Sequence, residues 1–270
     1  MSELSSISST SPKKKKGQKK NRVKLKTAVT NKRELRELFN AEVSQTTKTV
    51  SPSLQNSNSL IFQAVGVIQG EIALDKGENL IITLDGQQYR LGFTAISRPR
   101  KYKALVEEIK IQGNSQKKVL VYPRLSHTKT AYGYGVDFNL VTIAKTEETR
   151  EGIFQDLAAG EFYLSGFWQY VDFYDGPVVA VWRNYSQGLA QAVERVGIKK
   201  AKQLLKTNYI PVDWTDAPQE PFKYDPNVEK RQQMPRYFVR LKARYQPQKN
   251  HFEAIEQLGE STTKAPKYLK

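Results

Sequence analysis

The chain has 270 residues, enough for one large or two small domains with a buried core, and its 43 Lys and Arg against 27 Asp and Glu give a formal charge of +16. It has no cysteine, which excludes disulfides, thiolate metal sites and cysteine nucleophiles. No apolar run approaches the roughly 20 residues that cross a bilayer as a helix, and the Ser-rich, then Lys-rich start lacks the apolar stretch of a secretory signal. A cytoplasmic protein is the expectation, and the charge calls for a polyanionic partner.

The basic excess is uneven. Residues 1–60 carry 13 basic and 4 acidic side chains, a net +9, and the remaining 210 carry a net +7. Residues 1–59 read as a disordered basic tail and linker, because clustered like charges without apolar groups resist collapse. Lys13, Lys14, Lys15, Lys16, Lys19 and Lys20 are its densest part and a candidate arm for gripping phosphates. A short helix is expected near 32–40: Asn31 followed by Glu34 forms a capping-box pattern, and Leu35, Leu38 and Phe39 fall on one face.

From residue 60 the pattern changes to strands. Phe62–Leu74 alternates, with Gly66 and Gly70 as expected bend or bulge points. Leu80–Leu84 and Gln88–Phe93 flank the hairpin signal Asp85-Gly86. Tyr102–Ile111 has helical spacing stopped by Gly113. Lys118–Arg124 and Val136–Lys145 read as two more strands. Three strands, a helix and two strands over residues 60–150 resemble the OB-fold, a five-stranded Greek-key barrel that binds oligonucleotides.

Residues 151–260 read as a second β/α unit, either a partial barrel or a sheet extension on the first. Its expected parts are an aromatic strand Phe162–Phe173, a turn at Asp175-Gly176, a strand Val178–Arg183 and a helix capped by Ser186. A Pro-rich crossing loop over 211–235, a strand Arg236–Tyr245 and a short helix Phe252–Leu258 complete it. Residues 261–270 are expected to be a flexible C-terminus. The fold class is therefore mainly β, an OB-like barrel with a few helices. The stretches Phe62–Gly70, Leu164–Trp168, Arg236–Ala243 and Ala265-Pro266-Lys267 resemble members of an uncharacterised bacterial family. That resemblance implies a bacterial cytosolic setting and supplies no activity or site.

Three groups of residues are candidates for nucleic-acid binding. In the strand Arg236–Tyr245, alternation puts Arg236, Phe238, Arg240, Lys242 and Arg244 on one face, four cations around a ring and no acid. Cations hold phosphates and rings stack bases, the combination used by sequence-tolerant single-strand binders. The second group is Arg98, Arg100, Lys101, Tyr102 and Lys103, where the third strand passes into the helix. The third is the loop carrying Tyr122, Arg124, Lys129, Tyr132 and Tyr134, which borders the ligand face if the barrel is OB-like.

Catalysis has little support. Two histidines, no cysteine and no phosphate-loop, nucleophile-elbow or zinc-protease motif leave Asp213, Asp216 and Asp225 as the only conceivable metal-dependent nuclease site. The expectation is a non-enzymatic binder of single-stranded DNA or RNA with no cofactor, no metal and no membrane partner. The alternative is an interaction protein whose basic tail docks on an acidic or ribonucleoprotein partner. Oligomeric state is left open.

Overall fold

The computed structural model describes residues 60–93, 99–127, 133–144, 153–196, 201–202 and 205–269. The tail, the helix near 32–40 and the linker expected within residues 1–59 lie outside the described residues.

The first half contains β1 (Gln63–Leu74), β2 (Leu80–Leu84), β3 (Gln87–Gly92), helix α1 (Pro99–Gln112), β4 (Ser115–His127) and β5 (Tyr134–Ile143). β1 pairs antiparallel with β2 and β4, β2 with β3, and β4 with β5, while β3 runs parallel to β5. The ring β1-β2-β3-β5-β4 therefore closes on itself. This is OB-like order and direction, with the helix between the third and fourth strands. The local causes are those of the sequence pattern. Asp85 and Gly86 both take positive φ, 47° and 79°, as a tight hairpin turn requires. Gly113, at φ 81°, closes α1 by donating its amide to the Ile109 carbonyl at 2.9 Å.

The second half contains α2 (Ile153–Asp156), β6 (Glu161–Val171), β7 (Gly176–Val181), β8 (Arg183–Asn184), α3 (Gln187–Val196), β9 (Asn208–Asp213), β10 (Phe238–Gln246), β11 (His251–Gln257) and β12 (Tyr268–Leu269). Ser186 caps α3 by accepting the Leu189 amide at 3.1 Å. β6 pairs antiparallel with β7 and β10, β7 with β9, and β10 with β11, and β9 runs parallel to β11. A second five-stranded ring results, with the strand directions of the first and its helix one connection earlier.

Three expectations are corrected here. The segment expected as a helix over Phe252–Leu258 is strand β11, because its place between β10 and β9 is what closes the ring. The front of the expected loop over 211–235 is part of β9, whose Ile210, Pro211 and Val212 are buried although Pro211 has no amide for a ladder. The C-terminus is held: Tyr268 and Leu269 pair with Asn184 and Arg183, and the Tyr268 ring packs edge-on against Phe62 at 5.5 Å.

The two rings meet through their first strands. Gln63, Ala64, Val65 and Gly66 pair antiparallel with Ser165, Leu164, Tyr163 and Phe162. Phe62, Gly66 and Gln69 recur one hundred positions later as Phe162, Gly166 and Gln169. With that offset Ala64 faces its own counterpart, Leu164, so the pairing has the register of a local two-fold axis. One core runs through both rings: Phe138 of β5 stacks on Phe162 of β6 at 6.2 Å, and Tyr245 of β10 meets Tyr89 of β3 at 5.7 Å. Gly66 and Gly70, expected as bends, sit in unbroken register. Their lack of a side chain serves close approach, since a Cβ on Gly66 would lie within 2.5 Å of the Phe162 ring and one on Gly70 would meet the Thr83 carbonyl.

Gly66→Ala is expected to lower unfolding free energy by about 3 kcal/mol, the upper range of overpacking. Combining it with Phe162→Leu should recover about 1 kcal/mol or more relative to the sum of the single variants, and strict additivity in denaturant titrations would show that the two sites do not touch. Because the core crosses the rings, residues 60–150 expressed alone should lack a cooperative thermal transition that residues 60–270 retain.

Candidate nucleic-acid interface

The strand with four cations is the first place to look, and β10 does alternate as expected. Its neighbours change its meaning. Lys242 Nζ lies 2.8 Å from one carboxylate oxygen of Glu161, and Arg244 lies 3.2 Å from the other. In register, Lys242 faces Glu256 and Arg244 faces Glu253 across β11. Arg236 covers the rings of Phe222 and Phe167 at 4.5 and 5.3 Å. Arg240 is half-buried beside Gly259, where an added Cβ would sit 2.6 Å from its guanidinium. Phe238, expected as an open stacking ring, is 1% exposed and packs edge-on against Phe62 at 5.1 Å. The acids missing from β10 itself come from β6 and β11, and the C-terminal segment covers the ring.

Glu161 holds this arrangement. Burial acts to raise its pKa, but hydrogen bonds from Lys242, the Ala158 amide and Arg244 outweigh burial and hold it below its ordinary value. Its carboxylate also accepts the Ala158 amide at 2.9 Å.

The other two groups partly converge. Tyr102 of α1 and Arg124 of β4 line one shallow cleft of about 230 Å³, together with Arg90, Phe93, Asp137 and Asn139. Arg124 pairs in register with Asp137 of β5, and Arg90 of β3 lies on the other side of that residue. Arg90 and Arg124 are exposed, and neither side chain makes a hydrogen bond or close ion pair with any described residue. Burial raises the pKa of Asp137, with both guanidiniums and the Arg90 main chain pulling the other way. Phe93 is 47% exposed, and its ring leans on Tyr102 at 4.7 Å. The Tyr102 hydroxyl is fixed by accepting the Leu80 amide at 3.1 Å.

The remaining candidates lie elsewhere. Lys101 donates to Thr142 Oγ1 at 2.6 Å, and Lys103 is exposed on α1. Tyr122 packs among Val65, Leu120 and Ile153, where burial pushes its hydroxyl up in pKa. Tyr134 is corrected from stacking ring to core residue: it is 6% exposed and meets Tyr174 edge-on at 5.1 Å. Arg98, Lys129, Tyr132 and the tail lysines lie outside the described residues, as does the Arg100 side chain.

Sequence reading missed Arg90, Phe93, Asp137 and Asn139. Arg90 is an outward position on a strand following a recognised hairpin, and Asp137 and Asn139 are the outward positions of β5, so alternation alone identifies their face. The second ring does not repeat the cleft. Where Gly92 pairs with Asn139, the equivalent pair is Asp213 and Glu253, and His251 takes the place of Asp137. Among the described residues no three His, Asp or Glu side chains gather to hold a metal; Asp213 lies 3.9 Å from His251 instead. No described helix is long and apolar enough to cross a membrane. No protein-family model, curated protein or solved structure matches the chain.

Glu161→Gln is expected to cost about 2 kcal/mol at pH 7, the scale of hydrogen bonds to charged groups. A carboxyl with a depressed folded pKa contributes stability above its unfolded pKa and loses it as pH falls through the folded value. The gap between parent and variant in urea titrations should therefore close in acid, and a gap independent of pH would remove the ion pairs from the account.

Proposed function

We propose that the protein binds single-stranded DNA or RNA, largely without regard to sequence, through the first ring. The observation that carries this reading is the cleft: two exposed arginines without close partners, Arg90 and Arg124, beside the exposed ring of Phe93. Unpaired guanidiniums suit phosphates, and an open ring suits a base that no longer stacks on its neighbours. An OB-like barrel is compatible with such a ligand. The net +9 of residues 1–60 adds a long-range attraction that salt screens. A cytoplasmic, nucleoid- or RNA-associated location accords with this activity. The cations of β10 are structural in this account.

Fluorescence anisotropy with labelled single strands tests it. Arg90→Ala and Arg124→Ala should each weaken binding to all sequences and reduce the log–log salt slope by about 1. Phe93→Ala should cost about 1–3 kcal/mol on single strands and little on duplex. Arg240→Ala with Lys242→Ala should leave affinity close to that of the parent. The opposite ranking would move the interface to the second ring, and affinity lost only on deleting residues 1–59 would favour a tail that docks on an acidic partner.

A further inference from the structure

Asp137 and Asn139 occupy alternate positions of β5 and share its outer face. Both line the cleft. Asn139 is 8% exposed, and its amide makes no hydrogen bond with any described residue. Buried polar side chains in folded proteins are nearly always hydrogen-bonded, so an amide left without an internal partner at a cleft suits a partner from outside. Gly92 faces it in register across β3, and a Cβ there would sit 3.1 Å from Asn139 Oδ1. The bare backbone at position 92 keeps the amide reachable. The space, about 230 Å³, is smaller than the roughly 300–1,000 Å³ that enclose drug-sized ligands and suits one ring system.

We propose that this cleft takes one guanine base from the bound strand, an inference that rests on the nucleic-acid reading above. A carboxylate only accepts hydrogen bonds, and an amide both donates and accepts. Guanine alone among the common bases presents two adjacent donors, N1–H and the 2-amino group, beside an acceptor, O6. Asp137 takes the two donors, the Asn139 amide nitrogen donates to O6, and the base stacks on Phe93. Adenine and cytosine offer one amino group beside a ring nitrogen whose lone pair a carboxylate repels. Thymine and uracil offer one donor between two carbonyl oxygens. Arg90 and Arg124 hold the flanking phosphates, so the protein tolerates any sequence along the strand and selects at one position.

The experiment uses the full chain and short labelled oligothymidines with a single central guanine, hypoxanthine, adenine or cytosine, beside plain oligothymidine. Guanine should bind about tenfold tighter than thymine, adenine or cytosine, as one bidentate base contact does. Hypoxanthine, which lacks the 2-amino group, should fall between. Asp137→Asn should erase the preference, bringing the guanine strand to the affinity of the thymine, adenine and cytosine strands on the same variant. The hypoxanthine comparison needs no variant and decides the matter if Asp137→Asn does not fold. Equal affinity for all five strands, a preference for another base, or a guanine preference that survives in folded Asp137→Asn overturns the proposal and leaves single-strand binding standing. No binding to any strand at low salt overturns both.

Discussion

Residues 63–66 of β1 and 162–165 of β6 pair over four positions, and both rings depend on how those two strands divide their edges. One edge of β1 belongs to β4; the other gives its first four residues to β6 and its last four to β2. β6 does the same with β10 on one edge and β1 then β7 on the other. Each first strand is long enough to close its own barrel and still offer four residues of one edge to its counterpart. An exposed edge invites pairing with foreign strands, and here each ring uses the other to cover it. The steric demand follows directly: where the strands meet, the Phe162 ring occupies the space a side chain on Gly66 would need.

The distribution of charge matters more than its sum. Lys242 and Arg244 share one buried carboxylate, and Arg236 lies over two rings of its own chain. Cations satisfied this way have already given up part of their hydration for internal partners, and a phosphate would have to displace those partners. Arg90 and Arg124 have only longer-range attraction to carboxylates among the described residues, both to Asp137 and Arg90 also to Asp75. The cations of β10 are thus largely taken up by internal partners, whereas Arg90 and Arg124 on the first ring are not, and the acids at Asp213 and Glu253 sharpen the contrast between the two matching faces.

Much of the first ring was legible because its signals are local: alternation in β1 to β5, the Asp-Gly hairpin, and the glycine that stops α1. The second ring was half legible. Pro211 masks β9 as loop, and in β11 the acids Glu253 and Glu256 beside Phe252 and Ala254 imitate a helix face until β9 and β10 are placed on either side. Both errors come from ring closure, a long-range constraint that no window of neighbouring residues carries. The surroundings of β10 were not legible for a related reason. Alternation along β10 identifies which side chains share a face, but not that Glu161, some eighty positions earlier, lies beneath them. Tyr102 and Arg124 were recognised singly, whereas their meeting over Asp137 and Asn139 required the barrel.

The pairing at the local two-fold axis has a further consequence. In a symmetric dimer of two identical barrels, the residue on the axis would face a copy of itself, so both positions would have to be small or both large. Here Ala64 faces Leu164, one small side chain against one large, both buried. Covalent linkage frees each half to change alone, so a single leucine fills a space that two would overcrowd and two alanines would leave hollow. The same freedom extends outward from the axis to the surfaces, where one half has Gly92 and Asn139 and the other Asp213 and Glu253. Two barrels joined by these contacts cannot separate into equivalent halves, and a substitution on one face leaves the matching face of the other barrel unchanged.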